Sequence, residues 1–306
     1  MTIRFDEQVA IVTGAGNGLG RSHALALAQR GARVVVNDIG RARDGRGEAS
    51  EAALDVVAEI EAAGGEALAD SADVTEADQV EAMVADAMDR WGRVDVLVNN
   101  AGIIRDKTFL KMTLEDFFRV ADVHLRGAAL CSKAVWPGMV EQSYGRIVMT
   151  TSSSGLYGNF GQANYGAAKM AVVGLMNTLV LEGHKFDIRV NTLAPCAATR
   201  MSEDLMKPEL LAMLAPEAVT AGLLYLASED APSRAILTAG AGTFARAIVY
   251  ETRGVHLAGD DCSPEGVAAH WSEITDPTGQ TEYLSGSEQV VNMLSQAARN
   301  LGIDLD

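Results

Sequence analysis

Short β-branched runs alternate with longer helix-forming stretches along the first two thirds of the chain, and few folds accept that rhythm. QVAIVT (8–13) reads as a strand, and GRSHALALAQRG as the helix that follows and ends at Gly31. RVVVND (33–38) is the next strand, and the amphipathic EASEAALDVVAEIEAAGG is stopped by Gly64 and Gly65. A third strand lies within EALADSADV and a helix in ADQVEAMVADAMDRWG; VDVLVNNAG (94–102), GRIVMTTSS (145–153) and IRVNTLAP (188–195) are further strands. Repeated βαβ units imply a parallel sheet with helices on both faces. The strands read as continuous apolar runs, which a sheet covered on both sides requires. The expected fold class is therefore α/β. From Phe244 onward the alternation weakens, and SPEGVAAHWSEI (263–274) and SEQVVNMLSQAARNL (287–301) read as appended helices. The expected division is 1–243 and a C-terminal extension, 244–306, packed on the same domain.

A formal charge of −16 repels phosphate backbones, so nucleic acid is not an expected partner. No stretch approaches ~18 uninterrupted apolar residues, so neither a signal peptide nor a membrane span is expected. Cys131, Cys196 and Cys262 are odd in number and far apart; they read as reduced thiols of a cytoplasmic protein. His256, Asp260, Asp261, Cys262 and His270 read as scattered surface polars, and no metal is expected. TRMSEDLMKPELLAMLAPE (199–217) reads equally as a substrate lid or a pair of surface helices. As a lid, its Met201, Leu205, Met206, Leu210 and Leu211 offer an apolar lining.

TGAGNGLG (13–20) joins the first strand to the first helix with the spacing Gly14-x-x-x-Gly18-x-Gly20. Glycines permit a tight turn and close backbone approach to a pyrophosphate, and the helix N-terminus supplies free N–H groups and a positive dipole end. The plainer reading is a packing turn. Asp38 closes the second strand, where a carboxylate accepts hydrogen bonds from a ribose diol and repels a 2′-phosphate, favouring NAD over NADP. An N-cap for the next loop is the alternative, and Arg41, Arg43 and Arg46 can soften the preference. Asp73, with Val74 beside it, is placed at the end of the third strand; it can reach an adenine amino group or begin the next helix. NNAG (99–102) ends the fourth. Ligands of open α/β sheets bind outside the carboxyl ends of the strands, so these motifs converge on one crevice.

YGNFGQANYGAAK (157–169) sets Tyr165 and Lys169 four residues apart, on one helix face. An ammonium beside a phenol favours the phenolate and moves a group of ordinary pKa about 10 toward acid/base work at neutral pH. Lysine can also hold a nicotinamide ribose, and Ser152, at the end of the fifth strand, can bind a carbonyl or alcohol oxygen. A lone YxxxK arises often by chance. Here it follows a glycine turn, a strand-end aspartate, NNAG and a strand-end serine, in that order.

These residues resemble the short-chain dehydrogenase/reductase family over roughly residues 5–243. The resemblance implies a Rossmann-type doubly wound sheet of about seven strands. It implies Tyr165 as general acid/base, Lys169 as its partner and ribose ligand, and Ser152 as donor to the substrate oxygen. Gly14, Asn17, Gly18, Leu19 and Gly20 would line the cofactor phosphates and adenosine, Asn100, Ala101 and Gly102 would flank it, and Ala198 would supply a backbone contact to the nicotinamide amide. Two positions depart from the family pattern. His124 in VHLRG stands where many members have an Asn that extends a proton relay through a water near the lysine, a space histidine can fill. Cys196 replaces the glycine usual after Pro195.

A narrower similarity lies in GNGLGRSHALALAQRGARVVVNDIG, NNAGIIRDKTF, VHLRGA, YGRIVMTTSSSGLYGNFGQANYGAAK and NTLAPCAATRM. These look like the (3R)-hydroxyacyl-CoA dehydrogenase unit of peroxisomal multifunctional enzyme type 2. That implies NAD, a 3-hydroxyacyl-CoA substrate in fatty acid metabolism, and a homodimer, with a homotetramer as the other assembly. Arg105 and Lys107 can meet a CoA phosphate or are solvated loop charges. The chain reads as a stand-alone version, without that enzyme's hydratase domain. A steroid, another alcohol or an acyl-carrier-protein substrate stays open. A non-catalytic NAD-binding regulator is disfavoured, since a sensor needs no acid/base pair, and a lyase or epimerase lacks its longer substrate domain here.

Overall fold

In the computed structural model, residues 2–40, 51–196 and 213–304 are described. Strand β1 (Val9–Thr13) is buried at all five positions, as befits a strand with helices over both faces. It shares one sheet with β2 (Arg33–Asn37), β3 (Ala67–Asp70), β4 (Val96–Asn99), β5 (Gly145–Thr150), β6 (Ile188–Cys196), β7 (Ile236–Gly240) and β8 (Thr243–Ala247). The strand order is β3-β2-β1-β4-β5-β6-β7-β8. Every ladder from β3 across to β7 is parallel. The order reverses at β1, which pairs with β2 on one side and β4 on the other; such a switch point opens a crevice at the carboxyl ends of the strands. Register brings those ends level, with Val12 opposite both Val36 and Val98, and Val98 opposite Val148.

The sheet has eight strands where about seven are expected. The extra one, β8, follows β7 through Ala241 and Gly242, whose φ values of +50° and +73° suit a two-residue hairpin turn. Four of its five residues are exposed, so it lacks the apolar run by which the inner strands are read.

The helices of this first unit are α1 (Gly18–Gln29), α2 (Ala52–Ala62), α3 (Ala77–Trp91), α4 (Leu114–Ala121), α5 (Gly127–Gln142), α6 (Ser153–Tyr157), α7 (Ala163–Gly183) and α8 (Pro216–Ala227). A π-helical turn, Asp122–Arg126, joins α4 to α5. Ala24 and Leu27 of α1, Val56 and Ile60 of α2 and Leu223 of α8 pack with Val12, Val34, Val36 and Val98 in one buried cluster. Each such branched side chain contributes about 1.5–3 kcal/mol on full burial, which fixes the strand ends in place. His23 belongs to this packing. Its Nδ1 lies 2.8 Å from the Thr220 hydroxyl, and burial pushes its pKa down to about 3, so it is neutral.

Residues Met1–Arg246 form one compact unit and Ala247–Asp306 a second. The second contains α9 (Pro264–Ala269), α10 (Trp271–Ile274) and α11 (Gly286–Leu301). Ser285 caps α11 by accepting from the Glu288 N–H, and Glu288 reaches back to the Leu284 N–H at 2.8 Å. Among the described residues no helix is long and apolar enough to cross a membrane. Arg41, Arg43, Arg46, Ala198, Met201, Leu205, Met206, Leu210 and Leu211 lie outside the described residues, as does all of 199–217 before Met213; Pro216 opens α8.

Candidate active site

The chain leaves β1 at Gly14 and enters α1 at Gly18, both in the left-handed region, with φ of +63° and +54°. Gly14 and Gly20 also lack room for a side chain. A Cβ on Gly14 would come within 2.8 Å of Ala101 Cα, and one on Gly20 would overlap the Gly14 carbonyl oxygen. The Cβ position of Gly18, by contrast, has nothing within 4 Å. Asn17 precedes α1 without capping it through its side chain, so the first-turn N–H groups of α1 are available beside open space. Leu19 is half-buried and packs on the core cluster.

NNAG clamps this turn. The Asn100 side-chain amide donates to the carbonyls of Thr13 and Gly14, both at 3.0 Å. The N–H groups of Asn100 and Ala101 both donate to the Thr13 hydroxyl, also at 3.0 Å. Asp38 ties down the other side: one carboxylate oxygen accepts from the Gly16 N–H at 2.8 Å, the other from the Gly40 N–H at 2.7 Å. Asp73 is not at a strand end. β3 stops at Asp70, whose carboxylate accepts from the Ala72 N–H and the Asn37 amide and so turns the chain. Asp73 lies beyond that turn. Its carboxylate accepts from the N–H and hydroxyl of Thr75, at 3.0 and 2.7 Å, and meets Arg119 at 3.5 Å. Val74 next to it is buried.

The end of β5 grips α7. Lys169 Nζ donates to the Thr150 carbonyl, and the Thr151 hydroxyl to the Lys169 carbonyl, both at 2.6 Å. Ser152 caps α6, its Oγ accepting from the Ser154 N–H at 3.2 Å. Asn164, fully buried, fastens the start of α7 to the loop after β4 by donating to the Arg105 carbonyl at 3.0 Å. Tyr165 and Lys169 share a face as the i, i+4 spacing predicts, with Nζ 5.5 Å from the phenol ring centroid. The electrostatics differ from the sequence expectation. Burial raises the Tyr165 pKa above its ordinary value, with a hydrogen bond from Ser152 opposing and Asp106 reinforcing. Burial also pushes Lys169 down to about 7. A lysine that loses its proton near neutrality cannot hold the phenol down as a full ammonium does, so desolvation prevails over attraction in the protein alone.

His124 completes the floor. The π-helical turn presents it edge-on to Tyr165, ring centroids 5.2 Å apart. Its Nε2 lies 2.8 Å from the Ile103 carbonyl oxygen and 3.2 Å from the Ile103 N–H. Burial, reinforced by Lys169, holds its pKa well below the usual value, so the ring is neutral. Gly102 is glycine because a Cβ there would overlap the imidazole. A cavity of about 10 Å³ is lined by Thr13, Asn99, His124, Thr150 and Lys169. His124 Nδ1 and Thr150 Oγ1 are buried without a hydrogen-bond partner among the described residues; that size and polarity match one water molecule.

The family model for short chain dehydrogenases matches residues 8–209. The chain belongs to the short-chain dehydrogenase family. It is thus an oxidoreductase on an α/β fold of Rossmann type. It is 48% identical to a short-chain type dehydrogenase/reductase of Mycobacterium tuberculosis, over 89% of this chain and 96% of the relative. The full-length peroxisomal multifunctional enzyme type 2 of Drosophila melanogaster superposes with a TM-score of 0.80 at 36% identity, covering 98% of this chain and 51% of that one. This dehydrogenase therefore spans about half the length of that relative, and the resemblance read from its motifs is borne out. A 7α-hydroxysteroid dehydrogenase, solved with NADH and 7-oxo glycochenodeoxycholic acid, is also similar, with a TM-score of 0.69 at 32% identity over 78% of this chain and 95% of that one.

The structure gathers Gly14, Asn17, Gly18, Gly20, Asp38, Asn100, Ala101, Gly102, Ser152, Tyr165 and Lys169 along the carboxyl edge of the sheet. Sequence reading passed over Thr13, Thr150, Asn164, Ser154 and Gln162, which support that edge. The last three stand inside the quoted SSSG and GQANY stretches, where a small polar residue with no apolar periodicity was the available signal.

Proposed function

We propose that this dehydrogenase uses NAD and moves a hydride between the nicotinamide and the 3-carbon of a (3R)-3-hydroxyacyl-CoA, interconverting alcohol and ketone. The observation that carries the reading is the meeting, at one sheet edge, of an uncapped helix N-terminus behind a glycine turn with Ser152, Tyr165 and Lys169. The residues fit a dinucleotide: Gly14 and Gly20 let backbone close on backbone, and Gly18 leaves open space beside free N–H groups. Val74 and Asn100 to Gly102 belong to the same reading, as adenosine and ribose neighbours. When bound, the cofactor supplies the hydride acceptor or donor. Tyr165 takes the hydroxyl proton during oxidation and returns it during reduction, while Ser152 holds the same oxygen and Lys169 the ribose. Residues 1–243 carry this chemistry, and 244–306 extend it.

Asp38 supports NAD over NADP, because a carboxylate beside a 2′-phosphate is repulsive. Asp38→Ala should narrow the preference. It should also weaken NAD itself about tenfold, since the Gly16 and Gly40 N–H groups lose a charged acceptor and each such bond contributes about 1.5–3 kcal/mol. Isothermal titration of both cofactors checks this; equal affinity of the native protein for NAD and NADP counts against it.

The acyl-CoA assignment rests on the motif similarity to the multifunctional enzyme. The steroid dehydrogenase neighbour makes a steroid the second reading. A kinetic comparison of 3R- and 3S-hydroxyacyl-CoA of increasing chain length, with a hydroxysteroid and a simple secondary alcohol beside them, decides. Only the 3R series should react, and affinity should grow by about 0.8 kcal/mol per buried methylene until the pocket is full. Activity on 3S substrates, or kcat/KM highest for the steroid, removes the acyl-CoA assignment.

The unpaired cysteines support a reducing compartment, and we place the enzyme in the cytoplasm. Phe109, Leu110, Leu114 and Phe118 are all exposed on α4 and the turn before it, Leu110 at 94%. A patch of this kind marks an interaction surface, and a homodimer or homotetramer would cover it. Light scattering should show at least two chains at micromolar concentration; a single-chain mass refutes the assembly.

A further inference from the structure

A hydrogen-bond chain runs from the loop after β4 to Ser152. The Gln162 side-chain NH₂ donates to Asp106 Oδ2 at 2.7 Å. Gln162 Oε1 accepts from the Ser154 hydroxyl at 2.7 Å and from the Asn159 amide at 3.1 Å. The Ser154 N–H in turn donates to Ser152 Oγ at 3.2 Å. Gln162, Ser154 and Ser152 are all buried. Asp106 Oδ1 is buried as well, with no hydrogen-bond partner among the described residues.

We propose that Asp106 is a positioning residue: its carboxylate, acting through Gln162 and Ser154, sets the direction of the hydrogen bonds that hold Ser152. This rests on the role given to Ser152 and Tyr165 above. The argument is one of donors and acceptors. An amide has nearly the same shape either way round, so its orientation is fixed only by its partners. A carboxylate solely accepts, so the NH₂ of Gln162 must face Asp106 and its oxygen must face Ser154. The Ser154 hydroxyl is then committed as a donor to Gln162 and cannot donate to Ser152. Only the backbone N–H of Ser154 holds Ser152 Oγ, and the Ser152 proton is left for Tyr165 or the substrate oxygen. Without the acceptor at Asp106, only the Asn159 amide, itself able to turn over, still favours this orientation of Gln162. Once Gln162 turns over, the Ser154 hydroxyl loses its acceptor and competes for Ser152.

Asp106 also bears charge toward the site. The groups that face the Tyr165 phenol are Lys169 on its own helix, the neutral His124 from the π-helical turn, Ser152 at the head of α6, and Asp106 from the β4–α4 loop. Arg105 and Lys107, on either side of Asp106, pair with Asp116 of α4 at 3.0 and 2.9 Å. A nearby anion disfavours the phenolate and raises the Tyr165 pKa. Removing that charge should lower it, so the phenolate persists to lower pH.

Three variants of the full chain test the chain of bonds: Asp106→Asn, Asp106→Ala and Gln162→Ala, with the double variant Asp106→Ala/Gln162→Ala. Asp106→Asn keeps the shape and an acceptor for Gln162 but removes the charge. It should move the acidic limb of the oxidation profile, in kcat/KM against pH, to lower pH. Asp106→Ala and Gln162→Ala should each lower kcat about tenfold with little change in KM for the cofactor, and the double variant should lose no more than either, as members of one network do. An unshifted limb in Asp106→Asn, or additive losses in the double variant, overturns the proposal, as does a loss confined to melting temperature, which marks mere scaffolding. If the native protein oxidises none of the alcohols offered, the functional reading fails instead. The tyrosinate ultraviolet titration, with Tyr165→Phe as blank, then still reports whether Asp106→Asn lowers the phenol pKa.

Discussion

Tyr165→Phe is expected to lower kcat by about 10²–10⁴-fold, the usual contribution of one positioned acid/base group, while the fold and cofactor affinity stay close to native. The substitution removes one oxygen and keeps the ring. The edge-on contact with His124 at 5.2 Å and the approach of Lys169 Nζ to within 5.5 Å of the centroid involve that ring, so packing is preserved. The missing atom is the one that Ser152 contacts and that, in the proposed mechanism, exchanges a proton with the substrate oxygen. Direction matters for the pH dependence. Burial raises the Tyr165 pKa, so the resting form at neutral pH is the phenol, ready to donate in ketone reduction. The reductive rate should therefore hold across neutral pH and fall only as pH passes the raised pKa. Oxidation needs the phenolate and should climb with pH. Both dependences should vanish from the residual activity of Tyr165→Phe. Steady-state kinetics in both directions, beside circular dichroism and cofactor titration, check this; a near-native kcat removes Tyr165 from the mechanism.

The parts of this site that were legible in the sequence are those tied to local geometry. The i, i+4 spacing of Tyr165 and Lys169 fixes a common helix face whatever surrounds it, and a glycine turn between a strand and a helix fixes an N-terminus at the sheet edge. Asp38 was legible for the same reason, since it follows directly on a strand. What was not legible depends on burial and on contacts between distant segments. The spacing alone says that Lys169 pulls the Tyr165 pKa down. It cannot report that both groups are desolvated, which raises one and lowers the other. Asp73 was set at a strand end because EALADSADV offers no breaker before it; the turn is made by the side chain of Asp70, three residues earlier, reaching Asn37 on the neighbouring strand. The eighth strand escaped because an exposed edge strand needs no apolar run. Cooperation among Asp106, Gln162 and Ser154 escaped because nothing in their spacing of 56 and 8 residues announces contact.

Gly20→Ala should be the most damaging of the single-methyl changes in the nucleotide turn, and its comparison with Gly18→Ala separates two reasons for being glycine. A Cβ at Gly20 would overlap the Gly14 carbonyl oxygen and stand 2.6 Å from the Asn100 amide nitrogen. Neither neighbour can yield cheaply. The first is backbone, and the second is held by its hydrogen bonds to Thr13 and Gly14 at 3.0 Å. Overpacking of this kind costs about 1–3 kcal/mol. Because the displaced atoms form the turn itself, NAD affinity should fall at least about tenfold, a factor worth about 1.4 kcal/mol. At Gly18 no atom lies within 4 Å of the added methyl, and only the left-handed φ of +54° is penalised, by about 1–2 kcal/mol. That methyl projects into the open space beside the first-turn N–H groups of α1, where the proposed pyrophosphate would lie. Gly18→Ala should therefore lose cofactor affinity out of proportion to its loss of stability, whereas Gly20→Ala should lose both together. Melting temperature and isothermal titration with NAD, measured on both variants, give the comparison. Native affinity in Gly18→Ala would move the cofactor phosphates away from the start of α1, and native affinity in Gly20→Ala would show that the contact between Gly14, Gly20 and Asn100 is not what shapes the turn.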